Sequence, residues 1–404
     1  MNILKKAYCR IYQQIFHIAI PFLPYRKPKI LYTVMALPNL LDRKKINKVL
    51  LVTDKSIRSF GLTTPLEDVL KDNGVDCIVY DNTVANPTTD NVEEALQLYL
   101  DNKCEALIGF GGGSSIDCAK AVGARIANPD KALGQMAGIL KVRHRLPLLI
   151  AVPTTAGTGS ETTLAAVIVD SETRHKYPIN DFPLIPHYAI LDAQVTKSLP
   201  KSLTATTGMD ALTHAVEAYI GRSTTHGTRK DSIKAIQLIF KYIRTAYNDG
   251  NDLKARKQML YAAYLAGSAF TKSYVGYVHA VAHSLGGRYN TPHGLANAIL
   301  LPYVLEAYGD SAARKLANLA VHCGFASKDD EPAYAGAQFI KAIRQLQKDL
   351  NIPETLPEIK EEDIPEMAEY AEKEGNPLYP VPKLMDKKQL EQFYYDIMSE
   401  DEND

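Results

Sequence analysis

"ALIGFGGGSSIDCAK", residues 106–120, decides the fold. Four apolar residues, Leu107 to Phe110, read as a buried strand, three glycines follow at once, and Ser114 opens a helical pattern. A strand that turns this tightly into a helix is the elementary joint of a parallel α/β sheet, and the free N–H groups at such a helix start can receive a phosphate. The spacing fits neither the dinucleotide fingerprint GxGxxG nor a P-loop, since no GK[ST] follows. Alone, the stretch is as compatible with a plain tight turn, with Asp117 and Lys120 balancing the helix.

Working outward, the same rhythm recurs. "KVLLVTD" (48–54), "CIVY" (77–80), "LPLLIAVPTT" (146–155), "AAVIVD" (165–170) and "YAILD" (188–192) are short apolar runs separated by helical patterns. They predict strands of a mostly parallel sheet covered on both faces, with ligands at the strands' carboxyl ends. Two further features sit at such ends. "AVPTTAGTGSETT" (151–163) packs Thr154, Thr155 and Thr158 among glycines, a loop suited to hydrogen-bonding ribose or phosphate. Asp54 closes an early strand, where a carboxylate accepts from the ribose hydroxyls of NAD or simply caps the next helix.

Beyond Pro200 the period changes to three and four. "MDALTHAVEAYI", "SIKAIQLIFKYIRTAY", "RKQMLYAAYLAGSAF" and "AQFIKAIRQLQKDL" predict a helical domain without strands. The expected division is an amphipathic extension over 1–28, an α/β dinucleotide-binding domain over 29–196 and a helical metal-binding domain over 197–404. A chain of 404 residues is long enough for two cores.

Lys plus Arg and Asp plus Glu both number 46, so no net field points to nucleic acid, and a small-molecule partner is favoured. Cys9, Cys77, Cys104, Cys118 and Cys323 form no CxxC pair, which argues against a disulfide framework and fits a reducing cytoplasm. The amino-terminal stretch is amphipathic, but Gln13, Gln14 and His17 interrupt its apolar run before it reaches a spanning length. It reads as a helix packed on its own protein or on a subunit, with a surface anchor or a signal peptide as alternatives. The acidic runs "KEEDIPE" (360–366) and "SEDEND" (399–404) read as solvated ends.

The histidines carry the chemistry. Asp210 and His214 stand four apart on one predicted helix, His279 and His283 repeat that spacing on another, and His293 follows a turn of glycines and a proline. One carboxylate and imidazoles from these positions form a donor set suited to Fe(II) or Zn(II), with spacing alone leaving open which four bind.

Together "GFGGGSSIDCAK", "PTTAGTGSE", "GMDALTHAVEAYI" and "VHAVAHSLGGRYNTPHGLANAILLP" resemble the iron-containing, or group III, alcohol dehydrogenases, in order, from about residue 48 to 310. The resemblance implies a Rossmann-like α/β domain, an all-α carboxyl-terminal domain and a catalytic cleft between them, the dehydroquinate synthase-like architecture. It implies that Asp210, His214, His279 and His293 are the metal ligands and that His283 is a catalytic residue near the substrate. For the cofactor it implies Gly112, Gly113 and Ser114 at the pyrophosphate, Asp117 close by, Thr154, Thr155, Thr158 and Lys176 around the nicotinamide half, and Asp54 favouring NAD over NADP. The implied reaction moves hydride between NAD(H) and a small primary alcohol, aldehyde or diol, in a protein that is a homodimer or larger homo-oligomer. A glycerol or polyol dehydrogenase, or a non-catalytic NAD- and metal-binding protein, are the competing readings. Three departures stand out: Lys272 and Tyr274 precede His279 where many relatives carry small residues, "TTHGTRKD" (224–231) lacks the Asn-Pro common after the first metal helix, and the amino-terminal extension has no counterpart in most relatives.

Overall fold

The structure, a computed structural model, describes residues 1–399; the acidic run from Glu400 to Asp404 lies outside the described residues. Contacts divide the described residues into an α/β unit, residues 24–199 with 250–267, and a helical unit, residues 1–23, 200–249 and those from Ser268 on.

The α/β unit is built on six parallel strands in the order β1-β9-β6-β4-β2-β3. These are β1 (Lys29–Leu31), β2 (Lys48–Val52), β3 (Asp76–Tyr80), β4 (Ala106–Gly111), β6 (Leu148–Pro153) and β9 (Tyr188–Ile190). Successive side chains of a strand point to opposite faces, so each central strand feeds two cores. Val49 and Leu51 of β2 join Ile108, Phe110, Ile150 and Val152 under Leu37, Leu41, Leu66 and Leu70. Leu50 and Val52 join Leu107 and Leu149 under Val92, Ala95, Ala119 and Val122. A strand buried on both faces must be apolar throughout, and β4 is buried at all six positions.

One expected member of this sheet lies elsewhere. "AAVIVD" forms β7 (Ala165–Val169), which pairs antiparallel with β8 (Lys176–Asn180), and β8 pairs in turn with β5 (Gly138–Ile139) in a separate three-stranded sheet. The six residues Asp170–His175 between β7 and β8 are a hairpin connection, too short for the crossover that a parallel pair needs. Asp170 closes that turn, accepting from Thr173 N at 2.8 Å.

His187, just before β9, accepts from Leu149 N through Nδ1 at 3.1 Å. Burial, aided by repulsion from Arg26, pulls its pKa down to about 4. A base depressed below its unfolded value of about 6.5 contributes stability that is intact above that pH and lost as pH falls toward 4. His187→Asn keeps an acceptor for Leu149 but cannot titrate. Urea unfolding at pH 7 and pH 4.5 is expected to show the wild type losing about 2 kcal/mol more than the variant, after allowing for partial exposure of the ring; equal losses refute the assignment.

The helical unit contains the helices Lys201–Ile220, His226–Asn248, Tyr277–Tyr289, His293–Tyr308, Asp310–Cys323, Pro332–Asp349, Ile364–Gly375 and Lys387–Ile397. The helix Leu253–Ser273 is divided between the units, its residues up to Gly267 grouping with the α/β unit. Lys201–Ile220 is buried at every position from Gly208 to Ile220. A helix that is apolar all round belongs in an interior, and any Asp, Glu or His on it is a buried polar group that must have a partner.

The run 360–366 is more than a solvated end. Asp363 is buried and accepts from the Arg288 guanidinium and from Tyr289 Oη, the latter at 2.6 Å. It thereby clamps the end of the helix Tyr277–Tyr289. Among the described residues no helix is long and apolar enough to cross a membrane.

Candidate metal centre and nucleotide loops

Three helices of the helical unit supply the metal-type donors. Asp210 and His214 share one face of Lys201–Ile220, His279 lies in the first turn of Tyr277–Tyr289, and His293 begins His293–Tyr308. One ligand atom from each falls within 4.8 Å of all the others. Asp210 Oδ1 stands 3.9 Å from His214 Nδ1, 4.0 Å from His279 Nε2 and 3.5 Å from His293 Nε2. Four donors at roughly 2.1 Å from a tetrahedral ion stand about 3.4 Å apart, so the set is slightly open for one. The close approach of the His293 helix depends on Gly294, where a Cβ would lie 2.6 Å from the Thr206 carbonyl oxygen and 3.5 Å from Asp210 Cβ.

The arrangement could hold an ion. His279 Nε2 is buried with no hydrogen-bond partner among the described residues, while Nδ1 meets Glu217 Oε2 at 2.6 Å. A carboxylate accepts, so Nδ1 carries the proton and the Nε2 lone pair faces the other donors. Burial, with repulsion from the neighbouring imidazoles, holds His279 well below the usual histidine range and keeps the ring a neutral ligand. A buried lone pair pointing at three other donors is costly unless something electrophilic sits among them.

Glu217 was not apparent from sequence. It is fully enclosed and also accepts from Gly276 N at 2.8 Å and Val278 N at 2.9 Å, which fixes the turn entering the His279 helix. Burial pushes its carboxyl up to about 8 against those N–H donors. A dication on His279 would pull it back down through the ring. The available signal was its spacing: three residues after His214 and seven after Asp210, it shares their face of the helix. Asn297 was missed as well. Its Nδ2 donates to Asp210 Oδ1 at 2.8 Å and lies 3.1 Å from His293 Nε2, one turn into the His293 helix.

His283 stands apart from the four. Its ring stacks near that of His293, centroids 5.2 Å apart, and its Nδ1 meets Glu374 Oε1 at 2.6 Å. Tyr379 Oη donates to the same carboxylate oxygen at 2.5 Å. Burial raises the Glu374 carboxyl, but the charge of His283 and these hydrogen bonds outweigh it and leave the group below the usual carboxylate range. Tyr274 is committed to the amino-terminal helix: in a left-handed conformation (φ 61°), it sets its ring edge-on to Phe16, 4.8 Å between centroids.

In the α/β unit the glycine and threonine loops follow β4 and β6, which are paired neighbours with Gly111 opposite Pro153. Gly111 has φ 149° and a Cβ there would meet Ser115 Oγ at 2.5 Å, so the turn admits glycine alone. The helix Gly113–Ala127 has no side-chain cap and no acidic residue in its first turn, leaving its N–H groups and dipole directed outward. Around this end, Ser114 Oγ accepts from Asn86 N at 3.3 Å, Asn86 Oδ1 accepts from Lys176 Nζ at 2.7 Å, and Thr154 N donates to the Gly111 carbonyl at 3.0 Å. Thr155 and Thr158 are the side chains nearest Gly112 and Gly113.

Asp54 caps the helix Lys55–Ser59, accepting from Ile57 N at 2.9 Å, and its second oxygen accepts from Ser115 Oγ at 3.3 Å. Asp117 has both oxygens engaged by the protein, Oδ1 accepting from Ser160 Oγ at 2.6 Å and Oδ2 from Val167 N at 3.0 Å. Fully buried Lys120 donates to Ser160 Oγ, Thr163 Oγ1 and the Ala165 carbonyl at 3.1, 2.8 and 2.7 Å. Asp117 and Lys120 therefore brace the threonine loop against the glycine helix.

Two family profiles match most of the chain. A family profile described as iron-containing alcohol dehydrogenase matches residues 31–193, and one for the carboxyl-terminal part of the Fe-containing alcohol dehydrogenase family matches residues 204–398. The chain is 38% identical over 385 residues to the 1,3-propanediol dehydrogenase of Citrobacter freundii, covering 94% of this chain and 98% of that one. It is 36% identical over 341 residues to the lactaldehyde reductase of Escherichia coli, covering 84% and 89%. A solved structure of a 1,3-propanediol oxidoreductase superposes with a TM-score of 0.88 at 36% identity over 93% of this chain and 98% of that one. The alcohol dehydrogenase of Oenococcus oeni superposes equally well, at 35% identity over 92% and 100%.

Proposed function

This chain belongs to the iron-containing alcohol dehydrogenase family, and on that premise we propose how its own residues divide the work of interconverting a small alcohol or diol and its aldehyde with NAD(H). The observation that carries the reading is the convergence of Asp210, His214, His279 and His293 around a bare, carboxylate-oriented His279 Nε2.

Asp210, His214, His279 and His293 would hold a divalent ion, Fe(II) by family and Zn(II) by donor chemistry, which as a Lewis acid polarises the substrate oxygen. Glu217 and Asn297 orient two of those ligands. His283, with Nδ1 committed to Glu374, offers Nε2 for the proton that leaves or joins the substrate oxygen, and its partial exposure gives that proton a route to water. The N–H groups of Gly113 and Ser114 receive the pyrophosphate, with Gly112 allowing close approach. Thr154, Thr155, Thr158 and Lys176 line the remainder of the dinucleotide, and Asp117 acts on it through the loop it braces. Asp54, although a helix cap, keeps a carboxylate where an extra phosphate of NADP would be repelled, which makes NAD the cofactor. Five free cysteines, three of them buried, support a reducing, cytoplasmic setting.

A substrate panel tests this. Fe(II)-loaded protein with NADH should reduce 3-hydroxypropanal, lactaldehyde and short unbranched aldehydes, with kcat/KM at least tenfold lower for NADPH. A preference for glyceraldehyde or dihydroxyacetone over all of these would move the protein to the polyol dehydrogenases. NADH binding with no oxidation by any aldehyde would leave a non-catalytic binder.

A further inference from the structure

The amino-terminal helix Ile3–Ala19 has two faces with different surroundings. Its inner face is docked within the helical unit: Cys9 and Gln13 are buried, Gln13 Nε2 donates to the Tyr379 carbonyl at 2.7 Å, and Arg10 donates to the Val381 and Pro382 carbonyls at 2.7 and 2.9 Å. The outer face is apolar. Leu4, Tyr8, Ile11, Ile15, Ile18 and, in the turn that follows, Phe22 are 59–85% exposed. A surface helix ordinarily shows charge where this one shows hydrocarbon.

The spacing along that stripe is four, three, four, three, four. This is the 3.5-residue period of a seam between two helices, narrower than the broad apolar face of a helix lying in lipid. A lipid-bound helix also needs several free cations at its margins, whereas of the three here Lys5 is paired with Glu372 at 2.7 Å and Arg10 with backbone carbonyls, which leaves Lys6. At these exposures the six side chains present roughly 700–800 Å2, close to the ~800 Å2 per partner of a stable protein interface.

We propose that this stripe is an interface between two copies of the chain, with the two helices antiparallel. Lys5, Lys6 and Arg10 all lie in the first half of the helix, and no acidic residue occurs before Asp42. A parallel pair would set these cations against each other. With Leu4 opposite Ile18, an antiparallel pair sets Lys5 and Lys6 roughly 15–18 Å along the axis from their counterparts, beyond the screening length of roughly 8 Å, leaves Arg10 on the docked inner face, and opposes the helix dipoles.

Light scattering on the full chain tests this against the Ile11→Glu/Ile15→Glu variant, whose two substitutions lie on the exposed face. The wild type should be at least dimeric and the variant should show half its mass or less, with unchanged circular dichroism and NADH oxidation. A monomeric wild type, or equal masses, overturns the proposal. So does flotation of the wild type, but not the variant, with phosphatidylglycerol-containing vesicles when their masses agree, since lipid would then cover the stripe. Leu4→Cys and Ile18→Cys proteins, mixed and mildly oxidised, should cross-link to one another; cross-linking of each only to itself overturns the antiparallel arrangement.

Discussion

His279→Ala is expected to remove bound metal and catalysis together. Nε2 of this residue is the buried lone pair that only an ion satisfies, and alanine replaces it with a small void beside Asp210 and His214. Three remaining donors on two other helices bind a dication far more weakly, so affinity should fall at least 1,000-fold and NADH oxidation below about 1% of wild type. Metal content after desalting and steady-state rates at saturating aldehyde measure the two losses. The fold should survive, because the Lys201–Ile220 and His293–Tyr308 helices pack through their own apolar positions. Full activity of His279→Ala in metal-depleted buffer contradicts the assignment.

The second large effect belongs to a residue that touches neither metal nor substrate. Glu217 holds the Nδ1 proton of His279 and receives the N–H groups of Gly276 and Val278. Glu217→Gln keeps shape but removes the charge that makes His279 a strong donor, and its amide cannot accept from all three groups. Loss of such an outer partner weakens metal by 10- to 100-fold. With excess Fe(II) restoring occupancy, kcat should recover in large part while KM stays near wild type, a split that a purely structural defect would not give. Glu217→Ala should cost a further 2–5 kcal/mol in unfolding, because two backbone N–H groups and an imidazole N–H lose their buried acceptor. Wild-type metal affinity in Glu217→Gln would show that the carboxylate serves only the turn.

Much of this was legible because it is local. The glycine turn at 111–113, the threonine loop at 154–158 and the pairing of Asp210 with His214 depend on neighbours within a turn or a strand, and sequence period reports such things directly. Glu374 could not be found in that way, since it reaches His283 across ninety-one positions through the packing of Ile364–Gly375 on Tyr277–Tyr289. Nor could Asp363, whose acidic surroundings suggested water and whose actual partners are Arg288 and Tyr289. The run at 165–169 has the composition of a core strand, and only its short connection to 176–180 reveals a hairpin outside the main sheet. Asp117 pointed toward the cofactor loops, but the sequence did not reveal that both its oxygens are already engaged.

The measurement that tests the central claim most directly is an anaerobic titration of metal-free protein with Fe(II), following NADH oxidation with 3-hydroxypropanal as the ion is added. The account predicts activity that rises from baseline and saturates at one ion per chain, and no rise in His279→Ala. Activity independent of added metal, or a metal-dependent rise that His279→Ala shares, would contradict it.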